Sequence, residues 1–234
     1  MTEPFGGALD LLVFGAHPDD AEIGMGGTIA KHAAEGRRVG ICDLTRAELS
    51  SNGTPELRAE EAERASRALG LAYRSNLELP DRGLTGDLAQ LERVVREIRR
   101  LRPRYVFAPY WKDRHPDHVA CSALIEAATF NAKLRRWLPD APAWTVERLY
   151  FYFINDTDRA DVAVDVTAHY EAKTQALSAY RSQFEPTADD AVATPLTQGY
   201  LRKVERRDGL LGHALGVSYA EGFVTKLPQL LSLF

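Results

Sequence analysis

The sequence predicts a single-domain α/β fold: a mainly parallel sheet, helices on both faces, and a metal site at the carboxyl ends of the strands. Three observations predict it. Short apolar runs alternate with helical patterns through the first half of the chain. The length of 234 residues suits one α/β domain or two small ones and is ample for a sizeable core, a single domain over residues 1–234 being the better reading. Two His-Pro-Asp clusters follow two of the apolar runs, where open α/β sheets bind their ligands.

Residues 9–15, with Leu9, Leu11, Leu12, Val13 and Phe14 leading into Gly15, read as a buried strand. Residues 39–44 are a second and residues 104–108 a third, where Pro103 ends the helix before it. Residues 26–35 are helical and stop at Gly36. The next helix begins near Pro55, with Thr54 as its cap and the proline suited to the first turn. Over residues 87–101, Leu88, Leu91, Val94, Val95, Ile98 and Leu101 recur at helical spacing. This alternation predicts right-handed crossovers. In the second half, residues 149–154 and 161–166 read as strands joined by the polar turn Asn155-Asp156-Thr157-Asp158, a candidate hairpin. Helical stretches follow around residues 169–183 and 199–212, separated by a polar loop at 185–193. No repeat, low-complexity tract or composition break marks a domain boundary.

Hydrophobic residues at 45% and charged residues at 26% match an ordinary soluble globular protein. With 29 Lys+Arg against 33 Asp+Glu, the net charge of −4 lacks the basic excess of a nucleic-acid binder. Cys42 and Cys121 form no CxxC pair and sit in apolar stretches, so they read as buried, reduced thiols. Residues 1–7 lack a signal-peptide pattern, and no apolar run approaches the ~20 residues of a membrane span. A cytoplasmic protein with no membrane partner is expected. The apolar residues 227–234 are expected to pack on their own domain or on another subunit.

The chemistry concentrates in Ala16-His17-Pro18-Asp19-Asp20-Ala21-Glu22 and Asp113-Arg114-His115-Pro116-Asp117-His118. Imidazoles and carboxylates are the ligands zinc accepts when thiolates are absent, and a catalytic zinc needs only three. Spare carboxylates and imidazoles supply proton transfers. Taken singly, a histidine at a strand end is ordinarily structural, and an Asp-Asp pair is ordinarily a helix cap. Two such clusters in a chain with six histidines point to one shared site. Gly24-Met25-Gly26-Gly27 lacks the third glycine of a dinucleotide loop, and adjacent acids would repel a pyrophosphate, so close helix–strand packing is the better reading. Gly216-Val217-Ser218-Tyr219-Ala220 has no strand-then-helix context for a nucleophile elbow. His32, His169 and His213 lie on helical stretches away from both clusters and read as structural or exposed.

Together with Glu22, the two clusters resemble the motifs of the LmbE/PIG-L zinc-dependent N-acetylglucosamine deacetylases. Residues 41–45, 49–54, 80–84, 194–200 and 219–223 resemble the bacillithiol biosynthesis branch, with Ser51-Asn52-Gly53 and Pro80-Asp81-Arg82-Gly83 favouring it. The likeness runs over residues 9–226. It implies a Rossmann-like sheet with one Zn2+ per subunit held by His17, Asp20 and His118, Fe2+ being the alternative metal. Asp19 matches the general base that takes a proton from the attacking water. His115 matches the imidazole that stabilises the oxyanion in protonated form or shuttles protons. Asp117 is implied to polarise His115 by accepting from its ring.

The resemblance further implies N-acetylglucosaminyl malate as substrate, hydrolysed to glucosaminyl malate and acetate. Malate carries two carboxylates, which arginine recognises bidentately. Arg58 matches a substrate-contacting arginine, its ordinary reading being a solvated member of the charged helix face at 56–67. Arg114 and Arg82 flank motif residues, and Tyr200 reads as a hydroxyl donor at the site or as a core tyrosine. Other substrates in view are an inositol conjugate, a chitooligosaccharide or a thiol conjugate. A non-catalytic metal- or sugar-binding protein on the same scaffold is a further alternative, and Asp19 and His115 speak against it because binding a metal requires neither. A homo-oligomer is also implied, with a hexamer as the candidate form.

Overall fold

A seven-stranded sheet in the order β3-β2-β1-β4-β5-β7-β6 runs through the molecule. The computed structural model describes residues 7–186 and 191–228. The strands are β1 (Leu11–Gly15), β2 (Val39–Thr45), β3 (Tyr73–Leu79), β4 (Tyr105–Pro109), β5 (Arg148–Tyr152), β6 (Val162–Asp165) and β7 (Ala220–Val224). Strands β3, β2, β1, β4 and β5 are parallel, whereas β7 runs antiparallel to both β5 and β6. The helices are α1 (Asp20–Ala34), α2 (Pro55–Leu69), α3 (Leu88–Leu101), α4 (Pro116–Ala132), α5 (Tyr170–Ser178), α6 (Arg181–Phe184) and α7 (Tyr200–Leu215).

Strand pleating divides the core into two layers. Leu12 and Phe14 of β1 pack on one face with Val94, Val95 and Ile98 of α3 and Leu124 and Ile125 of α4. Leu11 and Val13 pack on the other with Ile29 of α1, Ala65 and Leu69 of α2, and Leu177 of α5. Burial on both faces explains why β1, β2 and β4 read as continuous apolar runs. The expected cap at Thr54 is in place, its hydroxyl accepting from Leu57 N–H at 3.2 Å, and the Asp87 carboxylate caps α3 by accepting from Gln90 N–H at 3.0 Å. Cys42 and Cys121 are both buried free thiols.

Three expectations need correcting, and one strand was not expected. The segments at 149–154 and 161–166 are not a hairpin, because β7 lies between β5 and β6 and pairs with both. The helix expected from residue 26 begins at Asp20, inside the first cluster, and is broken at Met25 (φ −150°, ψ 26°). The stretch at 169–183 divides into α5 and α6, with Ala179 and Tyr180 between them. Strand β3 has no counterpart among the expected elements: it is an edge strand of mixed polarity, Tyr-Arg-Ser-Asn-Leu-Glu-Leu, with no apolar run to announce it. The glycine stretch does serve close packing, since a Cβ at Gly24 would overlap the Tyr152 ring and one at Gly27 would lie 2.7 Å from Val166 Cβ. Residues 229–234 and 187–190, parts of the apolar end and the polar loop, lie outside the described residues.

Candidate active site

The chain adds β2 and β3 on one side of β1 and then returns to place β4 on the other. That reversal opens a crevice above the carboxyl ends of β1 and β4. The loops leaving these strands carry the two His-Pro-Asp clusters, and both enter one cavity of about 540 Å³. His17, Asp19, Asp20, Arg58, Arg114, His115, His118 and Tyr200 all line it.

The metal-capable side chains are packed closely. Asp20 lies between two rings, with Oδ1 3.1 Å from His118 Nε2 and Oδ2 3.5 Å from His17 Nδ1. The ring nitrogens of His17, His115 and His118 fall within 4.8 Å of one another. His118 Nδ1 is 3.0 Å from Asp113 Oδ1, which orients the ring and leaves Nε2 facing Asp20. Asp113 also accepts from the His115 and Asn155 backbone N–H groups, tying the β4 loop to the end of β5.

Charge in the cavity favours a cation. Burial pulls His118 down, but Asp20 and Asp113 outweigh it and hold the ring at about 9. Burial likewise opposes protonation of His17, and Asp117, Asp20 and Asp81 overcome it. Asp20 is held well below the ordinary carboxylate range, because the attraction of His118 and His17 exceeds its desolvation. Carboxylates gathered around imidazoles in this way form a donor set suited to a divalent metal. Asp20 also contacts both other members of the expected ligand set, His17 and His118, so the residues present fit such an ion.

Asp19 behaves differently from its neighbour. It stands at the start of α1 with φ 119°, a left-handed conformation that costs energy for a residue with a Cβ. Its side chain makes no cap bond and accepts instead from Arg58 Nη2 at 2.7 Å. Burial raises its pKa to about 7 even though Arg58 lowers it. A buried carboxylate that exchanges its proton near neutrality is equipped to act as a general base.

Arg58 is not on a solvated helix face. It is buried, with Nε donating to Pro18 C=O at 2.8 Å and Nη1 without a hydrogen-bond partner among the described residues. Tyr200 is also buried, and its hydroxyl lies 3.0 Å from Asn155 Oδ1 and 3.2 Å from Ile154 O. Arg114 is exposed at the rim and makes no hydrogen bond or ion pair among the described residues.

The expected contact between the Asp117 carboxylate and the His115 ring is absent. His115 caps α4, its Nδ1 accepting from Asp117 N–H at 3.2 Å. The Asp117 carboxylate instead accepts from Arg82 N–H and Nη1, both at 2.9 Å, and lies 3.4 Å from His17 Nε2. With Nδ1 accepting, a neutral His115 carries its proton on Nε2. Burial and the nearby His118 and His17 charges lower its pKa, which favours that neutral form over the expected imidazolium.

Asp81 is the main residue that sequence reasoning left without a role. Its Oδ1 is 3.4 Å from His17 Nε2, its Oδ2 accepts from Leu49 N–H at 3.0 Å, and with His17 and Asp117 it forms a second group of metal-capable atoms. Its only signal was membership of the Pro80-Asp81-Arg82-Gly83 stretch.

Comparison with known proteins agrees with the geometry. The PIG-L family model, described as GlcNAc-PI de-N-acetylase, matches residues 12–129, half of the chain and a span holding both clusters. The solved structure of the conserved protein TT1542 from Thermus thermophilus is similar at TM-score 0.88 and 45% identity, covering 95% of this chain and 97% of that one. Diacetylchitobiose deacetylase of Thermococcus kodakarensis is 29% identical, covering 95% of this chain and 85% of that protein. A 1D-myo-inositol 2-acetamido-2-deoxy-alpha-D-glucopyranoside deacetylase of Catenulispora acidiphila is 29% identical, over 91% of this chain and 77% of its own. On the family match together with the two histidine clusters it contains, this chain belongs to the PIG-L/LmbE family of deacetylases.

Proposed function

We propose that the protein hydrolyses the acetamide of an N-acetylglucosamine conjugate, releasing acetate and the free sugar amine. The observation that carries the reading is Asp19: a buried carboxylate, held by Arg58, in one cavity with His17, Asp20, His115 and His118. A protein that only bound metal would need no such base.

In this reading a divalent metal, zinc, held by His17, Asp20 and His118 supplies Lewis acidity toward the acetyl carbonyl and the attacking water. Asp19 accepts the proton of that water, and Arg58 holds the carboxylate in place. His115 presents Nε2–H to the negative charge developing on the acetyl oxygen. The proton collected by Asp19 is the one the departing sugar amine needs. Ile23, Ile154 and Leu196 line the cavity and limit water around the reacting carbon.

The finer proposal is N-acetylglucosaminyl malate as substrate, in bacillithiol biosynthesis. Its support is cationic: among the described residues Arg114 stands unpaired at the rim, and Arg58 Nη1 is a buried donor lacking an acceptor. The relatives' names point to two other conjugates, diacetylchitobiose and the inositol glycoside. The proposal also includes a cytoplasmic homo-oligomer. The buried free thiols fit a reducing compartment, and no helix among the described residues is long and apolar enough to cross a membrane.

Acetate release should be measured on all three conjugates. Turnover that is fastest on the malate conjugate supports the full proposal. Turnover only on diacetylchitobiose or the inositol conjugate retains deacetylation and removes the malate assignment. No release from any of them by folded, zinc-loaded protein overturns the reading.

A further inference from the structure

We propose that a buried ionic clamp, Arg207–Asp208–Lys173–Glu221, positions the Asp19–Asp20 turn by binding the Gly27 N–H and the Ile23 carbonyl on either side of the break in α1. The proposal rests on the reading of Asp19 as base and Asp20 as metal ligand.

In an unbroken α-helix the Gly27 N–H would donate to the Ile23 carbonyl. The helix breaks between these two groups, at Met25, and each binds a side chain from another element. The Gly27 and Thr28 N–H groups donate to Glu221 Oε1 and Oε2 at 2.9 and 2.6 Å. The Ile23 carbonyl accepts from Arg207 Nη2 at 2.7 Å. These two substitutes are themselves joined. Arg207 Nε pairs with Asp208 Oδ1 at 2.9 Å, and Lys173 Nζ donates to Asp208 Oδ2 at 2.7 Å and to Glu221 Oε1 at 2.6 Å. Helices α5 and α7 and strand β7 thus hold the two halves of α1 through one connected network.

The network also reaches a second element that lines the cavity. Arg207 Nη1 donates to the Phe153 and Ile154 carbonyls at 3.0 and 3.1 Å. Ile23 and Ile154 both line the active-site cavity, so one guanidinium holds two of the segments that line it. Lys173, Asp208 and Glu221 are at most 2% exposed, and burying three charges is a costly way to stabilise a helix. What the arrangement provides is an independent anchor for a short turn, residues 20–24, that bears Asp20 and follows the strained Asp19.

The test uses Glu221→Gln, Arg207→Lys and the charge-balanced pair Lys173→Met with Glu221→Gln, the pair guarding against loss of folding from an excess buried positive charge. Zinc affinity by chelator competition, the visible spectrum of the cobalt(II)-loaded protein, kcat and KM are compared with the unsubstituted protein. The clamp predicts folded variants with an altered cobalt spectrum, zinc affinity or kcat reduced about 10- to 100-fold, and KM nearly unchanged. Folded variants with unaltered spectrum, zinc affinity and kcat overturn the clamp and leave the site reading intact. If the unsubstituted protein neither binds zinc nor releases acetate, the site reading falls and the clamp falls with it.

Discussion

Asp19 is buried at the cavity wall, held in a left-handed backbone conformation and paired with Arg58. If it is the base, Asp19→Asn should keep the bound metal and lower kcat by at least about 100-fold, checked by metal analysis beside steady-state kinetics. Arg58 lowers the Asp19 pKa, so a variant lacking the guanidinium should raise it. A base works only when deprotonated. The acidic limb of kcat/KM should therefore move to higher pH in Arg58→Met, and a pH profile that stays in place would separate Arg58 from the base. Much of the site was legible at this scale because its residues are contiguous: His17, Asp19 and Asp20 follow one strand, and His115, Asp117 and His118 another. Asp81 was not, because it follows β3 and only the sheet order brings it to His17. The role of Asp117 was misjudged for a local reason, since the cap formed by His115 turns the carboxylate toward Arg82.

Among the elements, the apolar periodicities of α3 and the buried runs of β1, β2 and β4 were readable because burial on a fixed face leaves a periodic trace. Strand β3 left none, as its side chains serve polar contacts such as Arg74 with Asp43 at 2.9 Å and Glu22 at 2.6 Å. The false hairpin has a topological cause: β7, far along the chain, is inserted between β5 and β6. A different long-range tie joins α3 to the end of α4. The Arg99 guanidinium donates to the Asn131, Ala132, Leu134, Trp137, Leu138 and Ala141 carbonyls. Arg99→Met strips these acceptors of their donor and should cost at least about 2 kcal/mol in urea unfolding. A loss within experimental error would mean that water replaces the arginine there.

At the scale of the whole molecule, two packed faces and a switch-point crevice explain why one site gathers residues from across the chain. The same burial sets the response to acid. Desolvation opposes ionisation of Asp208, but Lys173 and Arg207 outweigh it and lower its pKa. A carboxylate depressed on folding adds stability that is complete above the unfolded value near ~4 and is lost as pH falls through the folded one. Stability should therefore decline below about pH 4, and Asp208→Asn should flatten that decline in thermal melts while lowering the neutral-pH midpoint. The central claim is that Asp19 and a metal held by His17, Asp20 and His118 together hydrolyse an acetamide. The most direct test is to titrate zinc into chelator-stripped protein while recording acetate release from an N-acetylglucosamine conjugate, with Asp19→Asn in parallel. The account predicts activity that rises in proportion to zinc bound and reaches its plateau at one ion per chain, with Asp19→Asn binding the same ion and staying inactive. Full release from the stripped protein, or an unimpaired Asp19→Asn, would contradict it.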